Sequence, residues 1–221
     1  MSTPPSAARW DRHYQQRAPL LPLAPAEASL RLVAQTGLVH DAPILDVGCG
    51  TSGFLAGLLA LRYANLLATD ISATALEQHR RQLGDAASQI LWLEDDITNQ
   101  RQVAALQPIL LWHDQGLLQE MGTLREQTAY RTLLDYMVQP GGWVILAARA
   151  PAAHEPAPTG PPHAYSAEQF AALLGEDYHL RQHFQQPYAR LAEPVQPYTY
   201  ALFERDLHAR QGFRSSRLGT H

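Results

Sequence analysis

Ile44-Leu45-Asp46-Val47-Gly48-Cys49-Gly50-Thr51-Ser52-Gly53 sets how the rest of this chain is read. An apolar run that carries one acid ends in a glycine-rich turn, and a helical pattern follows from Phe54 to Leu61. Glycine is the residue of choice where the backbone must turn with positive φ or approach a ligand closely. A second acid at the end of an apolar run, Asp70, lies 20 positions beyond Gly50. Nucleotide-binding α/β folds place there the carboxylate that grips a ribose. The pair points to an adenosine-containing cofactor.

Outward from this turn, short apolar runs alternate with helical patterns, as in a largely parallel sheet covered by helices on both faces. Strands are expected over 43–48, 65–70, 89–94, 109–113, 142–148, 178–185 and 197–204. Helices are expected over 53–62, 73–84, 98–106, 122–138 and 167–174, with Ser72 and Ser166 as N-cap residues. Pro140-Gly141-Gly142 is a turn signal ahead of Trp143-Val144-Ile145-Leu146. The last two strands follow each other through a loop, so an antiparallel hairpin is expected at one sheet edge. The reading is an α/β, Rossmann-like three-layer sandwich: a seven-stranded, mostly parallel sheet with an antiparallel last strand. Residues 1–40 are expected to form a helical cap and 41–205 the main domain. The Pro- and Ala-rich stretch 149–163 reads as a lid loop, and 206–221 as a flexible tail.

Composition narrows the classes. The chain has 221 residues, is 46% hydrophobic and carries a formal charge of −4, so it can build a real core. Its pI of about 6.2 leaves no basic footprint for nucleic acid or an anionic membrane. All 17 basic residues are Arg, which fits the coding bias of a GC-rich genome. A single cysteine excludes a disulfide framework within the chain and fits a reducing compartment. With no apolar run long enough to span a bilayer and no secretory signal, a cytoplasmic protein is expected, as a monomer or homodimer.

These residues resemble the class I, seven-strand S-adenosylmethionine-dependent methyltransferases over roughly 8–205. Asp46-x-Gly48-x-Gly50 looks like the family's first motif, Asp70 its second, and Glu94-Asp95-Asp96-Ile97-Thr98 its third; Pro140-Gly141-Gly142 matches the turn before its fifth strand. Within the family the chain is similar to a small bacterial subgroup marked by Trp-Asp-x-x-Tyr and Trp-His-Asp, here Trp10-Asp11-Arg12-His13-Tyr14 and Trp112-His113-Asp114. Two departures stand out. Ser52 replaces the third glycine, with Gly53 one place late, and Gln115-Gly116-Leu117-Leu118-Gln119-Glu120 differs from the subgroup's Arg-Ala-Val-Phe-His-Phe.

The resemblance implies S-adenosylmethionine as cofactor, S-adenosylhomocysteine as product, and a set of roles. Gly48, Cys49, Gly50 and Ser52 form the turn under the methionine part, and Asp46 fixes that turn or accepts from the cofactor amine. Asp70 accepts from the ribose diol and Ile71 packs on the adenine face. Asp96 accepts from the adenine amino group beside Ile97, with Asp95 left solvated. Trp10 and Tyr14, four apart on one helix face, close over the cofactor, and Arg9 or Arg17 pairs its carboxylate. His113 and Asp114 are the catalytic candidates: His113 meets the methionine amine or takes a proton from the acceptor. The bland alternative is a histidine that holds the strand end. Cys49 reads as chemically inert, and His179 with His183 lacks a third ligand, so no metal is expected. The acceptor is expected to be a small molecule. The alternatives are methylation of a protein side chain and a non-catalytic binding protein with this fold.

Overall fold

In the computed structural model, residues 7–16, 26–152, 160, 163–188 and 195–209 are described here. A seven-stranded sheet runs β1 (Ile44–Val47), β2 (Leu66–Asp70), β3 (Ile90–Glu94), β4 (Ile109–Gln115), β5 (Val138–Arg149), β6 (Tyr178–Tyr188) and β7 (Gln196–Arg205), in spatial order β3-β2-β1-β4-β5-β7-β6. Pairings from β3 through β5 are parallel, and β7 is inserted antiparallel between β5 and β6. Every expected strand is present, and the edge hairpin forms with the last strand on its inner side.

Period-two alternation divides the core. Leu45, Val47, Trp112, Leu146 and Phe203 face one layer, which holds α5 (Leu124–Met137) and α6 (Ala167–Leu174). Ile44, Leu66, Ala68, Leu111 and Ile145 face the other, which holds α2 (Glu27–Val33), α3 (Phe54–Ala60) and α4 (Ala73–Leu83). The three-layer expectation stands. Gly57 lets α3 meet α2 closely, since a Cβ there would run into Leu30. Ser29, Leu32 and Val33 of α2 are buried, so this helix belongs to the core rather than to a cap. Among the described α-helices, α1 (Ala7–Gln15) is the one with no buried residue.

Helix starts follow their caps. The Ser72 hydroxyl accepts the Ala75 N–H at 3.1 Å, and capping boxes pair Thr123 with Glu126 and Ser166 with Gln169. The helix expected over 98–106 does not form; a short 3-10 turn at Val103–Ala105 stands in its place. The carboxylate of Asp95 accepts the N–H groups of Asp96, Arg101, Gln102 and Val103 at 2.8–3.1 Å and holds the segment as a loop. Pro140-Gly141-Gly142 bulges within β5, where the register slips between Ile109 and Leu111. Most of the 149–163 lid, Arg17, and the tail beyond 209 lie outside the described residues.

Candidate functional site

A cleft of about 560 Å³ opens at the carboxyl ends of β1 to β4. Gly48 lies at its base after β1; Asp70 and Ile71 close β2, and Asp95, Asp96, Ile97 and Thr98 follow β3. Gly116, Leu117, Glu120 and Met121 form the β4 side, and Trp10 and Tyr14 of α1 cover the top. The cleft sits where the strand order reverses between β1 and β4, the position at which open α/β sheets take ligands.

The turn is built as its glycines predict. Gly48 and Gly50 have φ of 59° and 48°, a region that suits glycine. A Cβ on Gly48 would lie 2.9 Å from the Leu117 side chain, and one on Gly50 would lie 2.5 Å from the Tyr14 hydroxyl. Leu117 and Tyr14 therefore pack directly on the two glycines. Asp70 fastens the turn to β2: Oδ2 accepts the Gly50 N–H and Oδ1 the Ser72 N–H, each at 2.9 Å. Cys49 is buried, and burial beside the Asp70 and Asp46 carboxylates pushes its thiol well above the usual range. The Ser52 hydroxyl accepts the Phe54 N–H at 3.4 Å, at the start of α3. Neither residue lines the cleft.

Beyond β3, Asp95 is not the solvated member of its pair. It is 7% exposed and shapes the loop, while Asp96 accepts the N–H and hydroxyl of Thr98 at 2.8 and 2.7 Å. Asp96 and Ile97 both reach the cleft.

His113 and Asp114 do not. The His113 ring is fully buried, with Nδ1 2.7 Å from Asp46 Oδ1, Nε2 2.9 Å from Ser29 Oγ, and Phe54 stacked at 3.6 Å. Asp114 points to the opposite face, where it accepts the N–H groups of Leu117 and Leu118 at 2.7 and 3.0 Å and the Tyr130 hydroxyl at 2.7 Å. Burial raises its carboxyl to about 6 against these hydrogen bonds. The catalytic roles expected for His113 and Asp114 therefore lack geometric support: both side chains are shut away from the cleft and engaged by neighbours. The histidine that holds a strand end is the reading that fits. Asp46 also stays off the cleft surface; its Oδ2 is buried with no hydrogen-bond partner among the described residues.

Sequence reasoning missed Asp11 and Glu120. Asp11 Oδ1 accepts the Ser72 hydroxyl at 2.6 Å and the Thr74 N–H at 3.1 Å, so α1 is clamped on the start of α4. The Gln78 side chain adds a bond to the Tyr14 carbonyl at 3.0 Å. Arg9 pairs with Glu120 at 3.0 Å across the mouth. Asp11 stood inside the Trp-Asp-x-x-Tyr segment, and Glu120 inside the segment that departs from its relatives, so both carried a signal. His179 and His183 share no face: the bulge between Leu180 and Gln182 sets them opposite Glu204 and Ala201, on different sides of the sheet.

Residues 44–115 match the family model described as a methyltransferase domain. No curated protein matches the sequence. Among solved structures, the chain is similar to a protein studied in the conversion of a disulfide bond into a thioacetal group during echinomycin biosynthesis (20% identity, TM-score 0.70, covering 92% of this chain and 93% of that one). It is also similar to the N-methyltransferase NodS of Bradyrhizobium japonicum in complex with S-adenosylhomocysteine (17%, 0.60, 81% and 84%). A third is the magnesium protoporphyrin IX methyltransferase of Synechocystis with bound S-adenosylmethionine (16%, 0.55, 81% and 77%). The chain thus has the Rossmann-like fold of the S-adenosylmethionine-dependent methyltransferases, and its β1-to-β4 segment matches a methyltransferase domain in sequence as well.

Proposed function

We propose that the chain is an S-adenosylmethionine-dependent methyltransferase that acts on a small molecule. The observation that carries this reading is the cleft between the positive-φ turn Gly48–Gly50 and the carboxylates after β2 and β3. Its residues fit the cofactor. Gly48, which has no side chain and a positive φ, leaves backbone at the base of the cleft for the methionine part. The Asp70 carboxylate, held by the Gly50 and Ser72 N–H groups, lines the cleft at the end of β2, where an acidic side chain suits a cis-diol. Asp96 and Ile97 offer an acceptor and an apolar wall for the adenine, and Ile71 offers the facing wall.

The cofactor, when bound, supplies an activated methyl group on its sulfonium. The chain then has to orient the acceptor and keep water away. Trp10 and Tyr14 cover the cleft and the Arg9–Glu120 pair narrows its mouth, which favours a small acceptor over a side chain on a protein surface. His113 serves this arrangement indirectly, by holding the end of β4 to Asp46 of β1 and Ser29 of α2.

Calorimetric titration with S-adenosylhomocysteine tests the reading. Binding is expected, and Asp70→Ala should weaken it about 10- to 100-fold through loss of a charge-assisted pair worth ~1.5–3 kcal/mol. Asp70→Asn, which keeps one oxygen acceptor, should fall between the two. Binding of NAD in place of S-adenosylhomocysteine would sink the proposal.

A further inference from the structure

His79 of α4 is fully buried, and neither of its ring nitrogens has a hydrogen-bond partner among the described residues. It shares the buried face of the helix with Ala75 and Leu76 and meets the Trp92 ring of β3 edge-on, 5.2 Å between centroids. An apolar side chain would fill such a place without the cost of unpaired polar atoms. Burial lowers the pKa of the ring, while the Asp46 carboxylate and the backbone of Gly50 and Ser52 work in the opposite direction. Backbone that favours a charged imidazole does so through its carbonyl oxygens, so the ring faces the carbonyl side of the glycine turn. From the other side the turn is held by the cleft wall: the Gly50 N–H donates to Asp70 Oδ2 at 2.9 Å, and Asp70 lines the cleft. Gly50 thus stands between a cleft carboxylate and a buried imidazole whose N–H has a bond still to make.

We propose that His79 is a positioning residue for the cofactor turn: with the cofactor bound, its ring N–H donates to a turn carbonyl, at Gly50 or Ser52, and so fixes Gly50 against Asp70. The role rests on the methyltransferase reading of the cleft and adds to it a residue that does not line the cleft and acts through the turn. It also accounts for a polar ring in a core position where packing alone would favour an apolar one.

The test compares the full chain with His79→Phe, His79→Asn and His79→Gln. Without ligand, the urea midpoint of His79→Phe should equal or exceed the parent's, because no hydrogen bond is lost. Titration calorimetry should nevertheless show S-adenosylhomocysteine bound about three- to tenfold more weakly, the size of one hydrogen bond. His79→Asn or His79→Gln, whose amides carry an N–H near one or the other ring nitrogen, should recover most of that affinity. A side chain that only packs would move midpoint and affinity together, or neither. In the parent, the His79 ring N–H proton, assigned through bonds by NMR, should move downfield when S-adenosylhomocysteine is added. Parent-like affinity in His79→Phe, affinity lost only in step with the midpoint, no recovery in either amide variant, or a ring proton that stays in place would each overturn the proposal. If His79→Phe does not fold, the ring proton of the parent decides. A parent that does not bind S-adenosylhomocysteine removes the methyltransferase reading and this role together, whereas a parent that binds beside an unaffected His79→Phe removes the role alone.

Discussion

His113 and Asp114 are neighbours in the chain, and their side chains leave the sheet on opposite faces. Alternation along β4 therefore gives them separate tasks. Removing His113 would leave the buried Asp46 carboxylate and the Ser29 hydroxyl without their shared partner, at a cost of about 2–5 kcal/mol. His113→Phe should accordingly lower the urea midpoint sharply. A variant that unfolds where the parent does but has lost turnover alone would restore the base role. Asp114 makes a pH prediction. Its carboxyl titrates at about 6 in the folded chain against 3.8 as reference, because burial outweighs its hydrogen bonds. Between these values the unfolded chain has released a proton that the folded chain still holds, so stability falls as pH rises from about 4 to about 6 and is level above. The loss is on the order of 3 kcal/mol, and unfolding measured across that range should show it as a difference between the parent and Asp114→Asn, whose curve lacks the slope. At both positions residue type and strand end were legible in the sequence, but the facing neighbours that close the side chains off come from α2, α3 and α5, distant in the chain.

The helix α1 is the element whose role the chain order conceals. It contributes Tyr14 above Gly50 and Trp10 at the mouth, yet it has no buried residue and is held by polar bonds to the rim. Asp11→Ala removes two of these bonds. Amide exchange over residues 7–16 should accelerate at least about tenfold, and S-adenosylhomocysteine should dissociate severalfold faster, while the global unfolding midpoint moves little. Stopped-flow displacement and exchange mass spectrometry would check the two effects, and exchange unchanged in the variant would remove Asp11 from the clamp. The segment after β3 carries the opposite lesson. Its helical spacing was real, but Asp95 absorbs the amides that would have begun a helix. Side-chain competition for backbone N–H groups of this kind leaves no mark on hydrophobic periodicity. In β6 a single extra residue at Arg181 separates two histidines that simple alternation would put together.

Across the molecule, the fold is a consequence of patterns short enough to read locally. Short, mainly apolar strands of four to seven residues starting at Ile44, Leu66, Ile90 and Ile109, with helices between the first three, fit a parallel sheet covered on both faces. Right-handed crossovers then leave few arrangements, and the order β3-β2-β1-β4-β5-β7-β6 is one of them. Glycines with positive φ and acids at strand ends mark the cleft side, because backbone conformation and strand termination are local properties. The sequence by itself thus determined the sheet, the cleft residues Gly48, Asp70, Asp96 and Ile97, and the likeness to methyltransferases. Only the tertiary structure decided which polar residues reach the cleft. Asp46, His113 and Asp114 are locked between layers, whereas Arg9 and Glu120, 111 positions apart, pair at the mouth. Burial and pairing depend on what the far parts of the chain bring alongside, and that is settled only when the layers close on the sheet.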